Sequence, residues 1–282
     1  MTTGQSEEPR ARAETQVCAC TDRRGEFVRI LGIPFVISTA HAMVSRLHRE
    51  ASRGPLRLAF ANAHTINLAH RDIRLREALQ TADYVLNDGI GVALAARWLG
   101  GESFPENLNG SDFTTRLLHM AAREGWSVFL LGGRGGVAWE AGERLRESIP
   151  RLQIVGCRHG YHYDSAADVD AIRRAKPDVL LVAMGNPHQE VWLHQHWKAL
   201  PSIRLAVGVG AYLDFQAGVV PRAPRWMNDC GIEWVYRLAR EPFRLGRRYV
   251  IGNPVFVLRV LLAGRSGSEA RTARRHGLRD MT

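Results

Sequence analysis

The chain has 282 residues, of which 45% are hydrophobic and 23% charged, and it carries a net charge of +10. That is an ordinary balance for a globular protein of one or two domains with ample chain for a core. Its cysteines, Cys18, Cys20, Cys157 and Cys230, form neither a disulfide framework nor a zinc-spaced set, which points to a reducing compartment. No run reaches the roughly 20 apolar residues that a membrane-spanning helix needs.

Residues 1–25 are polar and charged, with no apolar core followed by a cleavage site, and read as a flexible leader rather than a signal peptide. Strand-length apolar runs then recur at Leu56–Ala61, Tyr84–Leu86, Ser127–Leu131, Leu152–Val155, Val179–Ala183 and Leu205–Val209. Amphipathic stretches lie between them, among them Asp112–Glu124, Val137–Ser148 and Gln189–Lys198. Strand alternating with helix predicts an α/β fold with a parallel sheet covered on both faces. After Leu213 the pattern shifts to Arg, Trp, Pro and Tyr. A boundary near Gly218 therefore separates a main domain (26–218) from a basic helical appendage (219–263) and a disordered basic tail (264–282).

The turns after these runs carry the chemistry. Asn62 and His64 follow the first run. The second ends in Asn87-Asp88-Gly89-Ile90-Gly91, a strand-to-helix turn of the kind where open parallel sheets place ligands. An Asp there is either a catalytic base or a helix cap. The third turn, Gly132-Gly133-Arg134-Gly135-Gly136, allows backbone N–H groups to approach a phosphate, although it completes neither the P-loop nor the dinucleotide fingerprint. In the fourth, Pro187 starts a helix whose first turn holds Gln189 and Glu190, both expected to face one ligand edge. The histidines His64, His188, His194 and His196 lack zinc spacing, and no Asp-x-Asp pair ends a strand, so no metal-held nucleotide diphosphate is indicated.

From Val220 onward the chain has 13 arginines, no lysine and five acidic residues, which accounts for eight of the ten net positive charges. Arginine interleaved with Trp, Tyr and Phe points to an anionic partner and an interfacial helix pair. Arg237, Arg244 and Arg247 share one face on a continuous helix, but Pro242 is placed to interrupt it.

Taken in order, these blocks resemble the WecG/TagA/CpsF family of bacterial glycosyltransferases. The resemblance runs from about Phe27 to Ala263. It rests on Ala61-Asn62-Ala63-His64-Thr65, Asn87-Asp88-Gly89-Ile90-Gly91, Asn109-Gly110-Ser111-Asp112-Phe113 and Gly185-Asn186-Pro187-His188-Gln189-Glu190. Gly208-Val209-Gly210-Ala211-Tyr212-Leu213-Asp214-Phe215, Arg222-Ala223-Pro224 and Glu233-Trp234-Val235-Tyr236-Arg237-Leu238 complete it. It implies an inverting, metal-independent hexosyltransferase or N-acetylhexosaminyltransferase on a Rossmann-like sheet. Such an enzyme moves a sugar from a UDP-sugar to a polyprenyl-diphosphate-linked glycan, at the cytoplasmic face of the membrane, for cell-envelope or exopolysaccharide biosynthesis.

The resemblance implies roles for particular residues. Asp88 is the base. Asn62 and Gln189 orient sugar hydroxyls. Arg237, Arg244 and Arg247 meet the acceptor's diphosphate or an anionic membrane. Apart from the resemblance, the glycine turn reads either as a plain turn or as backbone N–H groups at Gly132 and Gly133 that help neutralise the leaving UDP. No cofactor and no nucleic acid is expected, and a homo-oligomer is allowed. Phe60 stands where studied members carry Thr, and Asn107 where many carry Arg. Two other readings remain: a non-catalytic nucleotide-sugar-binding regulator, and a basic nucleic-acid-binding α/β protein. The confinement of the charge to an aromatic-rich tail argues against the second.

Overall fold

The structure, a computed structural model, describes residues 27–100, 103–160, 165–224, 226–227 and 233–277. The side chains of residues 244 and 265–277 lie outside that description, as do the expected leader (1–25) and residues 278–282. The described chain opens on an antiparallel hairpin, β1 (Phe27–Ile30) and β2 (Ile33–Val36), followed by α1 (Ala40–Ala51). Leu31 and Gly32 close the hairpin with φ of 48° and 85°, and a two-residue turn with both φ positive matches the twist of the strands it joins. The sequence reading assigns no element before Leu56. Strands of four residues carry little periodicity, and leucine is a rare occupant of the left-handed region.

Six strands form the main sheet: β3 (Leu56–Ala61), β4 (Tyr84–Asn87), β5 (Ser127–Gly132), β6 (Gln153–Arg158), β7 (Val179–Ala183) and β8 (Leu205–Gly208). Their order is β4-β3-β8-β7-β5-β6, with every neighbouring pair parallel. This is the expected Rossmann-like sheet. Alternation along the strands feeds two cores: Leu58 and Phe60 join one cluster, while Ala59 and Ala61 join the opposite one. Burial on both faces explains why β7 reads as an unbroken apolar run. The strand β6 starts one residue after the expected Leu152–Val155 and runs on to Arg158. Its register with β5 shifts between Val128 and Phe129, and a Cβ at Gly156 would lie 2.4 Å from the Phe129 ring.

The helices between the strands are α2 (Ala63–Ala69), α3 (Ile73–Gln80), α4 (Ile90–Gly100), α5 (Gly110–Glu124), α6 (Val137–Ser148), α7 (Ser165–Ala175), α8 (His188–His196) and α9 (Tyr212–Gln216). Residues of α1, α5, α6 and α9 pack on one face of the sheet, and those of α2, α3 and α4 on the other. β3 and β8 are neighbours, yet the chain leaves them toward opposite faces, into α2 and α9. A crevice opens at their carboxyl ends, the place where open α/β sheets bind ligands.

Three further helices complete the described chain: α10 (Glu233–Arg240), α11 (Pro242–Gly246) and α12 (Gly252–Gly277), with a π-helical turn at Arg247–Ile251 before the last. Pro242 breaks the helix as expected, so Arg237 and Arg247 do not share one straight helix face. Phe256 and Val260 of α12 are buried in the core formed by α2 and α4. Asn67 of α2 fastens the same helix by donating to the Gly252 carbonyl (2.7 Å) and accepting from Arg259 (2.6 Å). The backbone remains helical to Gly277, so most of the segment read as a disordered tail (264–282) continues α12.

Candidate active site

The crevice is a cavity of about 700 Å³, lined by the carboxyl ends of β3 and β8, by Asp88 after β4, by Gly185, Asn186 and Gln189 at the start of α8, and by the appendage. A second cavity of about 470 Å³ lies beside it. Asn62, His64, Asp88, Asn109, Glu233, Arg237 and Arg248 line both, so Asp88 stands where the two meet.

Asn62 fixes that carboxylate. As the N-cap of α2, its Oδ1 accepts from the backbone N–H of His64 and Thr65 (both 3.1 Å) and from the Thr65 hydroxyl (3.2 Å). Three donors on the oxygen leave no choice of amide orientation. Nδ2 must point outward, and it donates to Asp88 Oδ2 at 3.1 Å. Among the described residues this is the only hydrogen bond to the Asp88 carboxylate. The cap alternative for Asp88 is thus not what forms: α4 begins at Ile90, and the N–H of Gly89 donates to Asn107 Oδ1 (2.9 Å). The structure thus joins Asn62 to Asp88, a geometry that residue spacing alone did not reveal.

Gln189 is buried at 2% exposure yet reaches the cavity wall. Its Oε1 accepts from the Gly210 N–H (2.9 Å), and its Nε2 donates to Glu190 Oε1 (2.7 Å). A Cβ at Gly208 would lie 2.9 Å from that amide nitrogen, so a glycine at 208 gives the amide its room. Glu190 corrects the sequence reading. It does not face the ligand edge but lies buried beneath Gln189, accepting also from Asn186 Nδ2 (2.6 Å). Among the described residues its Oε2 has no hydrogen-bond partner, and burial pushes its carboxyl up to about 7.

The appendage supplies charge. Arg237, Arg247 and Arg248 line the larger cavity together with Arg71. Arg237 stacks over the Phe215 ring at 5.5 Å. Arg244 lies on α11, with its side chain outside the described residues. Burial raises the carboxyl of Glu233; nearby Arg237 opposes that rise, and Asp88 adds to it. Burial and then the Arg248 charge lower His64 to about 4, so it is neutral near pH 7. In the sequence Glu233, His64 and Asn109 lie within motifs that do not by themselves assign them to the site, and Arg248 lies in the arginine-rich run with no role of its own. The doublet Arg247-Arg248 was the available signal for the last.

Two predicted residues lie elsewhere. Gly132 and Gly133 line neither cavity. The N–H of Gly133 is engaged by the Ala183 carbonyl (2.9 Å). A Cβ at Gly132 would lie 2.3 Å from the Ala183 oxygen, and one at Gly133 would lie 2.6 Å from Val137. Close approach to β7 and α6 accounts for both glycines. Phe60, at the family's Thr position, packs edge-on against Phe113 (5.9 Å) and presents part of its ring to the larger cavity. Among the described residues no three His, Cys, Asp or Glu side chains gather as a metal site, and no helix is long and apolar enough to cross a membrane.

Comparisons with known proteins point to one family. The model of the "Glycosyl transferase WecG/TagA/CpsF family" matches residues 28–270. A Bacillus spizizenii protein named N-acetylglucosaminyldiphosphoundecaprenol N-acetyl-beta-D-mannosaminyltransferase is 32% identical over 240 residues, covering 84% of this chain and 91% of the relative. A Bacillus subtilis protein of the same name is 30% identical over 235 residues, covering 82% and 90%. With a match that takes in both the sheet bearing Asp88 and the arginine-bearing appendage, the chain belongs to the WecG/TagA/CpsF family of glycosyltransferases.

Proposed function

We propose that the protein transfers an N-acetylhexosamine, with inversion at the anomeric carbon, from a UDP-sugar to a polyprenyl-diphosphate-linked glycan. Asp88 takes the proton of the acceptor hydroxyl. The hydroxyl oxygen bonds to the anomeric carbon as the bond from that carbon to the diphosphate oxygen breaks, and UDP leaves with the electron pair. The observation that carries this reading is the placement of Asp88. One carboxylate oxygen is held by Asn62, at the junction of two cavities lined by appendage arginines.

The leaving diphosphate meets Arg237 and Arg247, whose charge-assisted hydrogen bonds stabilise the charge that develops on it. Gln189, locked between Gly210 and Glu190, offers its amide to the donor sugar or diphosphate. On this reading the reaction is independent of metal, and a chelator leaves the rate unchanged. The arginine-rich appendage holds the enzyme at an anionic membrane surface on the cytoplasmic side, where such lipid-linked acceptors are presented. The two relatives named for an N-acetylmannosaminyl transfer support the N-acetylhexosamine class.

The test incubates purified protein with a panel of UDP-sugars and N-acetylglucosaminyl-diphosphate-polyprenol. It reads UDP release and the anomeric configuration of the product. Release with a UDP-N-acetylhexosamine and an inverted product is expected. Retained configuration, or no transfer from any UDP-sugar, refutes the reading.

A further inference from the structure

The smaller cavity has a different character from the larger one. Its inner end is polar, where it shares Asp88, Arg237 and Arg248 with the reaction site. Beyond them it is a groove with two apolar walls: Leu94 and Trp98 on α4, Val257 and Leu261 on α12. All four are substantially exposed, Leu94 at 57% and Trp98 at 62%, so the described residues leave the groove uncovered. At one end Gly91 comes within reach of Phe256, where a Cβ would lie 3.9 Å from the ring. At the other, a Cβ at Gly264 would lie 2.7 Å from the Trp98 indole nitrogen. Between these closures the groove runs along about 10 Å of α4.

We propose that this groove holds the isoprene units of the lipid-linked acceptor nearest its diphosphate. The acceptor's diphosphate meets Arg248, and the acceptor sugar lies over Asp88. The inference rests on the reaction proposed above and names how its acceptor is held. Polarity matches the occupant in order: at the inner end Arg237 and Arg248 stand with the carboxyls of Asp88 and Glu233, and beyond them the apolar walls carry no charged side chain. His64 at the same end is neutral and adds no charge. A flat membrane surface does not require a two-walled groove closed against α12 at both ends, and a cavity of this size is ordinary for a small-molecule site. The remainder of a long polyprenyl chain leaves the groove toward the lipid.

The test uses water-soluble N-acetylglucosaminyl diphosphate esters that differ only in the alcohol, methyl against geranyl, without vesicles. The unmutated protein is expected to show a KM on the order of tenfold lower for the geranyl ester. Leu94→Glu and Val257→Glu, both at exposed positions, should erase that difference while KM for the methyl ester, donor KM and kcat stay unchanged. Phe243→Glu, fully exposed and outside the groove, should leave the difference intact. The proposal is overturned if the unmutated protein does not distinguish the esters. It is equally overturned if the groove variants alter only vesicle binding, which would make this a membrane face, or only sedimentation, which would make it an interface between copies. Equilibrium binding of geranyl diphosphate against inorganic pyrophosphate separates this idea from the reaction itself. Preference for geranyl diphosphate, lost in Leu94→Glu, supports the groove even when no transfer occurs.

Discussion

The sheet domain and the helical appendage build one site by different means. In the sheet domain the polar groups are set by a chain of hydrogen bonds: Asn62 by the first turn of α2, Asp88 by Asn62, and Gln189 by the Gly210 N–H and a buried carboxyl. The appendage holds its arginines through short, interrupted helices and aromatic contacts such as Arg237 over Phe215. Rigid placement suits a base that must meet one hydroxyl. Charge delivered by separate helices suits a diphosphate, whose several oxygens accept from many directions. The difference predicts that substitutions in the sheet domain lower turnover, and that substitutions in the appendage weaken binding of the diphosphate as well.

The largest expected effect is at Asp88. Asp88→Asn should lower kcat ~10²-fold or more, leaving the fold and the donor KM close to unchanged. Turnover within a few-fold of the unmutated enzyme would remove Asp88 from the role of base. Arg237→Ala should reduce kcat/KM on the order of 10²-fold, because the guanidinium borders both cavities. Raised salt should weaken substrate binding less in this variant than in the unmutated protein. Asn62→Ala removes both a cap and the amide that holds Asp88. It should cost about 1 kcal/mol of stability and on the order of tenfold in kcat, measured by thermal melting and initial rates on one preparation. Loss of stability with full activity would show that Asp88 does not depend on Asn62.

A last effect, at Glu190, is one of stability rather than turnover. Its carboxyl is raised to about 7 in the folded chain, whereas an unfolded glutamate ionises near 4.3. The folded state therefore holds the proton more tightly. The stability this contributes is complete below about pH 4 and is lost as pH rises through 7, at most on the order of 4 kcal/mol. The melting temperature of the unmutated protein should fall from pH 6 to pH 8, and Glu190→Gln should flatten that fall. The substituted amide still accepts from Asn186 and Gln189. An unchanged slope would show that Glu190 does not titrate in this range.

Much of the sheet was legible because burial on both faces writes itself as apolar runs. Leu56–Ala61, Val179–Ala183 and helix Val137–Ser148 match their elements at both ends. The hairpin, α1, α2, α3 and α7 were not read, since short strands and short capped helices leave weak periodicity. Asp88, Asn62, Gln189, Arg237 and Arg247 do converge, as the family motifs implied. What sequence did not carry was direction. Nothing local tells which arginine of an arginine-rich segment turns toward Asp88 across some 150 residues of chain. Nor does it say that Glu190 turns inward beneath Gln189 while its neighbour reaches the cavity. Gly132 and Gly133 looked like a phosphate cradle because close backbone packing and anion binding call for the same residue.

The division of labour between the two regions is tested most directly by calorimetric titration of UDP into the unmutated protein, Asp88→Asn and Arg237→Ala. The account predicts that Asp88→Asn binds UDP as tightly as the unmutated protein, or more tightly once a negative charge is gone. It predicts that Arg237→Ala binds on the order of tenfold more weakly. Weakened binding in Asp88→Asn with full affinity in Arg237→Ala would contradict it.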